Sequence, residues 1–390
     1  MAIATHTKRK ARINADIVQQ CLKVCEGMLS DLEKAKRPTL RATKCSLDNC
    51  NYDHKLGFLT PGDKMVSTEL NVSSVKKMSR AVFMLEILLR NLETGSVNTK
   101  RELYYISKGE IKSNPILRAL DFGDQNESDE VIDFICEMLE TYREEMNCYA
   151  NDKGGQTFSQ QLVVTERLPD GEEVVIDLSQ LGTSPFQPKN RPQNLSLKAK
   201  KKIDFCLIVE SEGTANTLVA NGFTKRNNSI VIGAGGVPSN AVRGWAKRIQ
   251  DQLDIPLFFF GDLDAYTLQN IFRTLKAGSA SSLIRNSDFS APDVKFLGVL
   301  PEDIKKYDLH DYSVNEKDPQ EARALKKAKD ALANDPFFRD KKNRGLSEIL
   351  EWLQKNKRRC EQQAYYAVAP RDPIMAEKII IEKIKSGRFV

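Results

Sequence analysis

The sequence lacks the signatures of several large protein classes. No apolar run approaches the ~18–20 residues of a membrane-crossing helix, so no bilayer span is expected. The opening MAIATHTKRKAR is basic, yet no apolar segment follows it, which argues against a secretory leader. The eight cysteines include no CxxC pair and read as reduced, mostly buried thiols of an intracellular protein. Cys45-x4-Cys50-x3-His54 is the one spacing with ligand character, and it offers no fourth ligand for zinc. Neither a P-loop Lys-Ser/Thr nor a GxGxxG spacing occurs, which leaves nothing that resembles an ATP site. Internal repeats and low-complexity tracts are also missing.

What remains is an ordinary globular composition, 41% apolar and 29% charged, in 390 residues, enough for two or three domains. A balance of 59 basic against 53 acidic residues gives +6, too mild to imply nucleic acid by itself. Distribution says more. Residues 189–202 carry six basic residues and no acidic one, and Lys8, Arg9, Lys10 and Arg12 form a second cluster. Such runs are most often solvated faces, so they gain meaning only beside a site.

Periodicity divides the chain. Residues 1–37 show helical spacing (Ile17, Cys21, Val24, Met28, Leu32) that Pro38 ends, and 38–70, rich in Asn, Asp, Gly and Pro, reads as irregular. Amphipathic helices are expected at 72–91, from near Thr99, and over about 129–148. Three short helices followed by strands suit a winged-helix domain, a helix-turn-helix design that lays one helix on DNA. A hairpin follows (161–167, a turn at Pro169-Asp170-Gly171, then 174–178), and 183–202 reads as a basic linker. Apolar runs at 205–209, 229–232, 256–260 and 295–300 then alternate with helices at 214–221, 241–253 and 266–276. That alternation predicts a parallel sheet covered by helices, hence a mixed α/β protein. The segment 316–366 reads as polar and helical.

Chemistry concentrates at strand ends. CLIVESEG sets Glu210 and Glu212 after one apolar run, and LFFFGDLDAY sets Asp262 and Asp264 after another. Open α/β sheets bind ligands outside their strand C-termini, so these acids should share a crevice. An all-oxygen set without His or Cys suits Mg²⁺. A second candidate is Lys100-Arg101-Glu102-Leu103-Tyr104-Tyr105. Arg101 precedes Tyr105 by four residues and Lys100 precedes Tyr104 by the same spacing, so spacing alone does not choose the tyrosine. The glycine-rich IGAGGVPSNAVRGW, between a strand and a helix, is either a tight turn or a phosphate cradle.

Taken together, these motifs resemble a known family. VESEG and GDLDAY are similar to the acidic signature of a Toprim domain. TKRELYY, preceded by VSSVKKMSRAVFMLEILLRN, resembles the nucleophile motif and lead-in helix of the family that unites topoisomerase VI A subunits with meiotic double-strand-break proteins. KFLGVLPEDIKKYDL, DPFF and EQQA resemble the tail of its archaeal members. The resemblance implies Tyr105 as nucleophile, Arg101 as its helper, and Glu210, Asp262 and Asp264 as Mg²⁺ ligands. It further implies a homodimer acting on double-stranded DNA, 5′-phosphotyrosyl links, and a separate ATP-binding B subunit in an A2B2 heterotetramer. It places the protein in the cytoplasm or nucleoid, or in the nucleus of a eukaryote. Lys100, Arg243, Lys198, Lys200 and Lys201 are the expected DNA-facing cations. The segments would be a helical and irregular extension (1–68), a winged helix with the tyrosine (69–150), a hairpin and basic linker (151–200), a Toprim domain (201–312) and its helical extension (313–390). Two departures stand out: AGGVPS replaces the family's GKGxPD, with Gly235 at the lysine position, and DAYT replaces DPYG. The rival readings are a break-making recombination protein without strand passage, a hydrolytic Toprim nuclease and a non-catalytic DNA-binding protein.

Overall fold

Four short apolar runs between residues 205 and 298 become parallel strands of one sheet, because residues covered on both faces need no polar side. The computed structural model describes residues 14–149, 155–168, 171–188 and 194–390. The cluster Lys8, Arg9, Lys10 and Arg12, the turn residues Pro169 and Asp170, and 189–193 of the basic stretch lie outside the described residues. The described residues form two compact units: those within 1–50, 60–152 and 280–287, and those within 51–59, 153–279 and 288–390. Among them, no helix is long and apolar enough to cross a membrane.

The first unit begins with α1 (Asn14–Glu33). The 38–70 segment, expected to be irregular, instead holds four short strands: β1 (Thr39–Thr43), β2 (Cys50–Asp53), β3 (Phe58–Pro61) and β4 (Met65–Glu69). β1 pairs antiparallel with β4, and β2 with β3 makes a second two-stranded sheet, most of whose residues fall within 51–59 of the second unit. Runs such as TLRAT and MVSTE are too short, and cover too few residues, to show a clear alternation.

α2 (Val75–Thr94) stops at Gly95, whose φ of 70° is the left-handed turn glycine adopts without strain. β5 (Asn98–Thr99) leads into α3 (Lys100–Ser113), and α4 (Gln125–Met138) follows. α4 starts and stops earlier than the expected 129–148. Asp124 caps it by accepting from the Glu127 amide at 3.2 Å, and a separate 3-10 turn occupies Arg143–Met146. β6 (Cys148–Tyr149) pairs with β5 in parallel. Met84, Leu88, Leu103, Phe122, Ile132 and Ile135 are fully buried and form the common core.

The second unit contains β7 (Gln156–Ser159), β8 (Leu162–Arg167), β9 (Glu173–Asp177) and β10 (Leu195–Ala199). The expected hairpin is β8 and β9, and it belongs to this unit rather than to the helices before it. The stretch read as a linker contributes β10, which pairs with β8. Leu195 and Leu197 turn inward there while Ser196 and Lys198 face solvent, so the lysines conceal a strand.

The larger sheet comprises β11 (Phe205–Val209), β12 (Ser229–Gly233), β13 (Leu257–Phe260) and β14 (Lys295–Gly298). Its order is β14-β13-β11-β12-β7, parallel except for β7, which closes one edge antiparallel to β12. The helices α5 (Glu212–Ala220), α6 (Phe223–Arg226) and α7 (Asn240–Leu253) connect its strands. Trp245 of α7 is fully buried and donates from Nε1 to Thr157 Oγ1 of β7 at 2.9 Å, tying helix to edge strand. The helix expected at 266–276 opens as a π-helical turn, Thr267–Phe272, before becoming α-helical over Arg273–Ala277. Helices Pro319–Asn334, Arg344–Asn356 and Met375–Ser386 follow.

Candidate active site

β11 lies between β12 and β13, so the chain leaves it on opposite sides in successive crossovers, and a crevice opens at such a switch point. Val209 pairs with Phe260, which puts the residues after both strands side by side. The Glu210 amide donates to Phe260 O at 2.9 Å, and the Asp262 amide donates to Glu210 Oε2 at 3.1 Å. Gly261 makes the approach possible, since a Cβ there would meet Glu210 Oε2 at 2.6 Å and the Phe259 ring at 2.5 Å.

Thr267 ties the acids together. Its hydroxyl donates to Glu210 Oε2 at 3.0 Å, and its amide donates to Asp264 Oδ1 at 2.7 Å. Thr267 stands where the family's DPYG has glycine, so this departure adds a donor to the acid cluster. Sequence reasoning did not single it out. On the other side, the Gln362 amide donates to Asp262 Oδ1 at 2.8 Å. Residues 263 and 360 exchange backbone bonds, Leu263 N to Cys360 O at 2.8 Å and Cys360 N to Leu263 O at 3.2 Å.

Burial and mutual charge act on all three acids. Burial, and then the charges of Asp262 and Asp264, push Glu210 up to about 8. Asp262 rises to about 6, first through burial and then through Asp264 and Glu361, against the opposing Gln362 bonds. Burial also raises Asp264, with Arg359 pulling the other way. Among the described residues no three His, Cys, Asp or Glu side chains form a ready-made metal-binding group. The three acids share a crevice through hydrogen bonds without converging on one point. Their chemistry nevertheless fits a hard divalent cation: an all-oxygen, half-buried set whose mutual repulsion a cation would relieve.

The glycine-rich turn proves to be tightly bonded to the sheet. Ala234 N donates to Val209 O at 2.8 Å and Gly236 N to Glu210 O at 3.0 Å, so these amides serve the fold rather than a phosphate. Gly235 has φ of 73°, and a Cβ there would stand 3.1 Å from Glu212 Oε1, which explains glycine at the family's lysine position.

α3 presents the two tyrosines differently. A capping box holds its start: Thr99 Oγ1 accepts from Glu102 N at 3.2 Å, and Glu102 Oε2 accepts from Thr99 N at 2.6 Å. Leu103, Ser107 and Ile111 form the buried face, and Tyr104 packs partly buried against that core. Tyr105 is 58% exposed, and the Arg101 guanidinium lies 6.0 Å from its ring centroid. Of the two hydroxyl-bearing rings, Tyr105 faces solvent and Tyr104 is partly covered.

The expected DNA-facing cations divide in the same way. Lys198 and Lys201 are exposed, and Lys200, also exposed, bridges Asp177 at 2.8 Å. Lys100 is mostly covered and lies 3.3 Å from Asp133 and 3.7 Å from Asp129. Its charge is answered within the unit. Arg243 is likewise covered. It is 4% exposed, on the inward side of α7, and donates from Nε to Phe289 O at 2.9 Å.

Residues 205–384 match the family model for the Toprim domain of topoisomerase 6 A subunits and Spo11, and residues 76–148 match the model described as "Type IIB DNA topoisomerase". The chain is 33% identical over 323 residues to the type 2 DNA topoisomerase 6 A subunit of Methanocaldococcus jannaschii, covering 82% of each chain. It belongs to the family of topoisomerase 6 A subunits. Identity to the corresponding protein of Pyrococcus abyssi is 27% over 384 residues, 95% of this chain and 96% of the relative. That of Halobacterium salinarum is 28% identical over 306 residues, 78% and 80% respectively. The topoisomerase 6 Toprim match opens at β11 and includes all three acids, Thr267 and Gln362. The type IIB topoisomerase match includes Arg101 and Tyr105.

Proposed function

We propose that this chain is the DNA-cleaving component of a type IIB topoisomerase, with Tyr105 as its nucleophile. The carrying observation is the contrast on α3: Tyr105 exposed with Arg101 beside it, Tyr104 packed on the core. In the proposed step Tyr105 Oη attacks a DNA backbone phosphorus. A 5′-phosphotyrosyl bond forms, the bond to the 3′ oxygen breaks, and the proton lost by the phenol balances the one gained by the 3′-hydroxyl. Arg101, one helical turn away, can pair with the phosphate oxygens and favour the charge that develops there. Reversal reseals the strand without ATP, because the ester conserves the phosphodiester's free energy.

Glu210, Asp262 and Asp264 would hold Mg²⁺, which when bound supplies Lewis-acid neutralisation of phosphate charge. The chain's own part is to keep these acids in one crevice, through the Thr267 and Gln362 donors and the close turn at Gly261. The α2–α4 helices, read as a winged-helix domain, and the exposed Lys198 and Lys201 would bind duplex phosphates with little sequence preference. The family reading adds a homodimer, in which the tyrosine of one copy meets the acids of the other. It also adds an ATP-binding B subunit that completes an A2B2 assembly acting in the nucleoid or nucleus.

The test is cleavage of supercoiled plasmid with Mg²⁺ and a co-purified B subunit, quenched with detergent. Protein-linked linear DNA from wild type and none from Tyr105→Phe is expected. Linear DNA with free ends from both would replace this reading with a hydrolytic nuclease, and adducts persisting in Tyr105→Phe would move the nucleophile to Tyr104.

A further inference from the structure

Gln362 is 1% exposed, and its backbone amide already holds Asp262. Its side-chain amide lies close enough to the same carboxyl group to hold it down slightly. An ionised carboxylate only accepts, so Nε2 is the atom turned toward it. Oε1, on the same amide carbon, is therefore also beside Asp262, and it is buried without a hydrogen-bond partner in the fold. A buried amide oxygen with no protein donor calls for a reason. Packing alone does not supply one, since methionine would fill the same volume without a polar atom.

The surrounding chain holds this stretch in place. The Leu263–Cys360 bridge fastens the segment along the acid turn. Arg359 reaches Glu361 at 3.3 Å and Glu321 at 3.4 Å. Gln363 Nε2 lies 3.5 Å from Thr214 Oγ1 at the start of α5, beyond Glu210. Residues from both sides of the crevice thus hold the backbone on either side of Gln362.

We infer that Gln362 Oε1 is a fourth oxygen donor toward the divalent cation of the acid crevice, a neutral ligand beside three carboxylates. The inference rests on reading Glu210, Asp262 and Asp264 as the cation's ligands. An amide oxygen is a hard donor suited to such a cation and adds no further negative charge to a crevice that already holds three acids.

Chelator-stripped full-length chain titrated with Mn²⁺ alone, followed by electron paramagnetic resonance, provides the test. Thermal unfolding with and without Mn²⁺ is measured in parallel. Gln362→Met is expected to weaken Mn²⁺ binding by about 10- to 100-fold without lowering the melting temperature in chelator. Gln362→Glu is expected to melt lower than wild type in chelator and to gain more from Mn²⁺ than wild type does. Asp262→Asn, as control, should lose binding. If Asp262→Asn loses Mn²⁺ while Gln362→Met binds it within twofold of wild type, Gln362 is no ligand although the metal site stands. If wild type binds no Mn²⁺, or Asp262→Asn changes nothing, the metal-site reading itself fails and takes this inference with it. Should Gln362→Met not fold, the Glu variant decides alone: a Mn²⁺ shift no larger than wild type's overturns the proposal.

Discussion

Side chains of similar type carry different weight here because their surroundings differ. Tyr104→Phe should leave the phosphotyrosyl adduct in place, while Tyr105→Phe removes it. An exposed Tyr105 should change stability by no more than about 0.5 kcal/mol when its hydroxyl is lost. Plasmid cleavage and a urea melt on both variants check this pair. A second contrast concerns ion pairs. Lys383 and Asp303 are fully buried against one another, with Tyr365 Oη donating to Asp303 Oδ2 at 2.7 Å. Lys383→Met should destabilise by about 3 kcal/mol, since it leaves the buried Asp303 carboxylate with the more distant Arg388, at 3.2 Å, to answer its charge, and Asp303→Asn in the same chain should recover part of that. Glu382, by contrast, sits at the surface and is held down to about 2 by the Tyr307 hydroxyl, then Lys306 and Arg388. A depressed carboxyl stabilises above its unfolded value of 4.5 and loses that as pH falls toward 2. With 46% of its side chain exposed, solvent screening limits the effect to about 1 kcal/mol or less, measurable as a smaller acid-induced drop in melting temperature for Glu382→Gln. Little of this residue-scale detail was legible in advance. Lys100 and Arg101 stand in the same spacing to their tyrosines, and only burial separates them. Gln362 carries no charge and lies far along the chain from the acid it serves, so EQQA marked its segment as family-like without giving the residue a role.

Elements were far more legible where one environment acts along their whole length. β11, β12 and β13 are buried at every residue, and uniform apolar runs such as FCLIV and LFFF announce that directly. β1, β4 and β10 were missed because a few half-covered residues, interleaved with Arg, Ser or Lys, look like loop. α3 starts where expected, near Thr99, and the capping box between Thr99 and Glu102 is the physical reason. Thr99→Ala should cost about 1 kcal/mol by urea denaturation. It should also lower adduct yield, because the frayed turn carries Arg101. Gly261→Ala acts on the turn after β13 instead. Its new methyl group would collide with Glu210 and Phe259, so Mn²⁺ binding and thermal stability should both fall. Unchanged Mn²⁺ affinity in Gly261→Ala would show that the turn does not position Glu210.

At the scale of the whole molecule, the sequence foretold a mixed α/β chain with the acids on a parallel sheet, and β7 is the antiparallel strand it did not foresee. If the proposed homodimer forms, light scattering on the isolated chain should report twice 44.0 kDa, and a value of 44.0 kDa would remove the cross-copy arrangement from the mechanism. Duplex binding through phosphates should weaken steeply with salt, by a log–log slope of about 0.9 per phosphate contact. Replacing Lys198 and Lys201 should flatten that slope without changing preference among sequences.

The bond from Gln362 to Asp262 spans 100 residues of chain. During synthesis, then, the tyrosine helix and all three acids leave the ribosome well before the turn that clamps Asp262. On the proposed reading, a growing chain would carry every reactive group before the clamp on the acid crevice has been made. Gln362→Pro in the full-length chain, which removes the amide hydrogen that clamps Asp262, should accordingly lower adduct yield, and an unchanged yield would show that the clamp is dispensable.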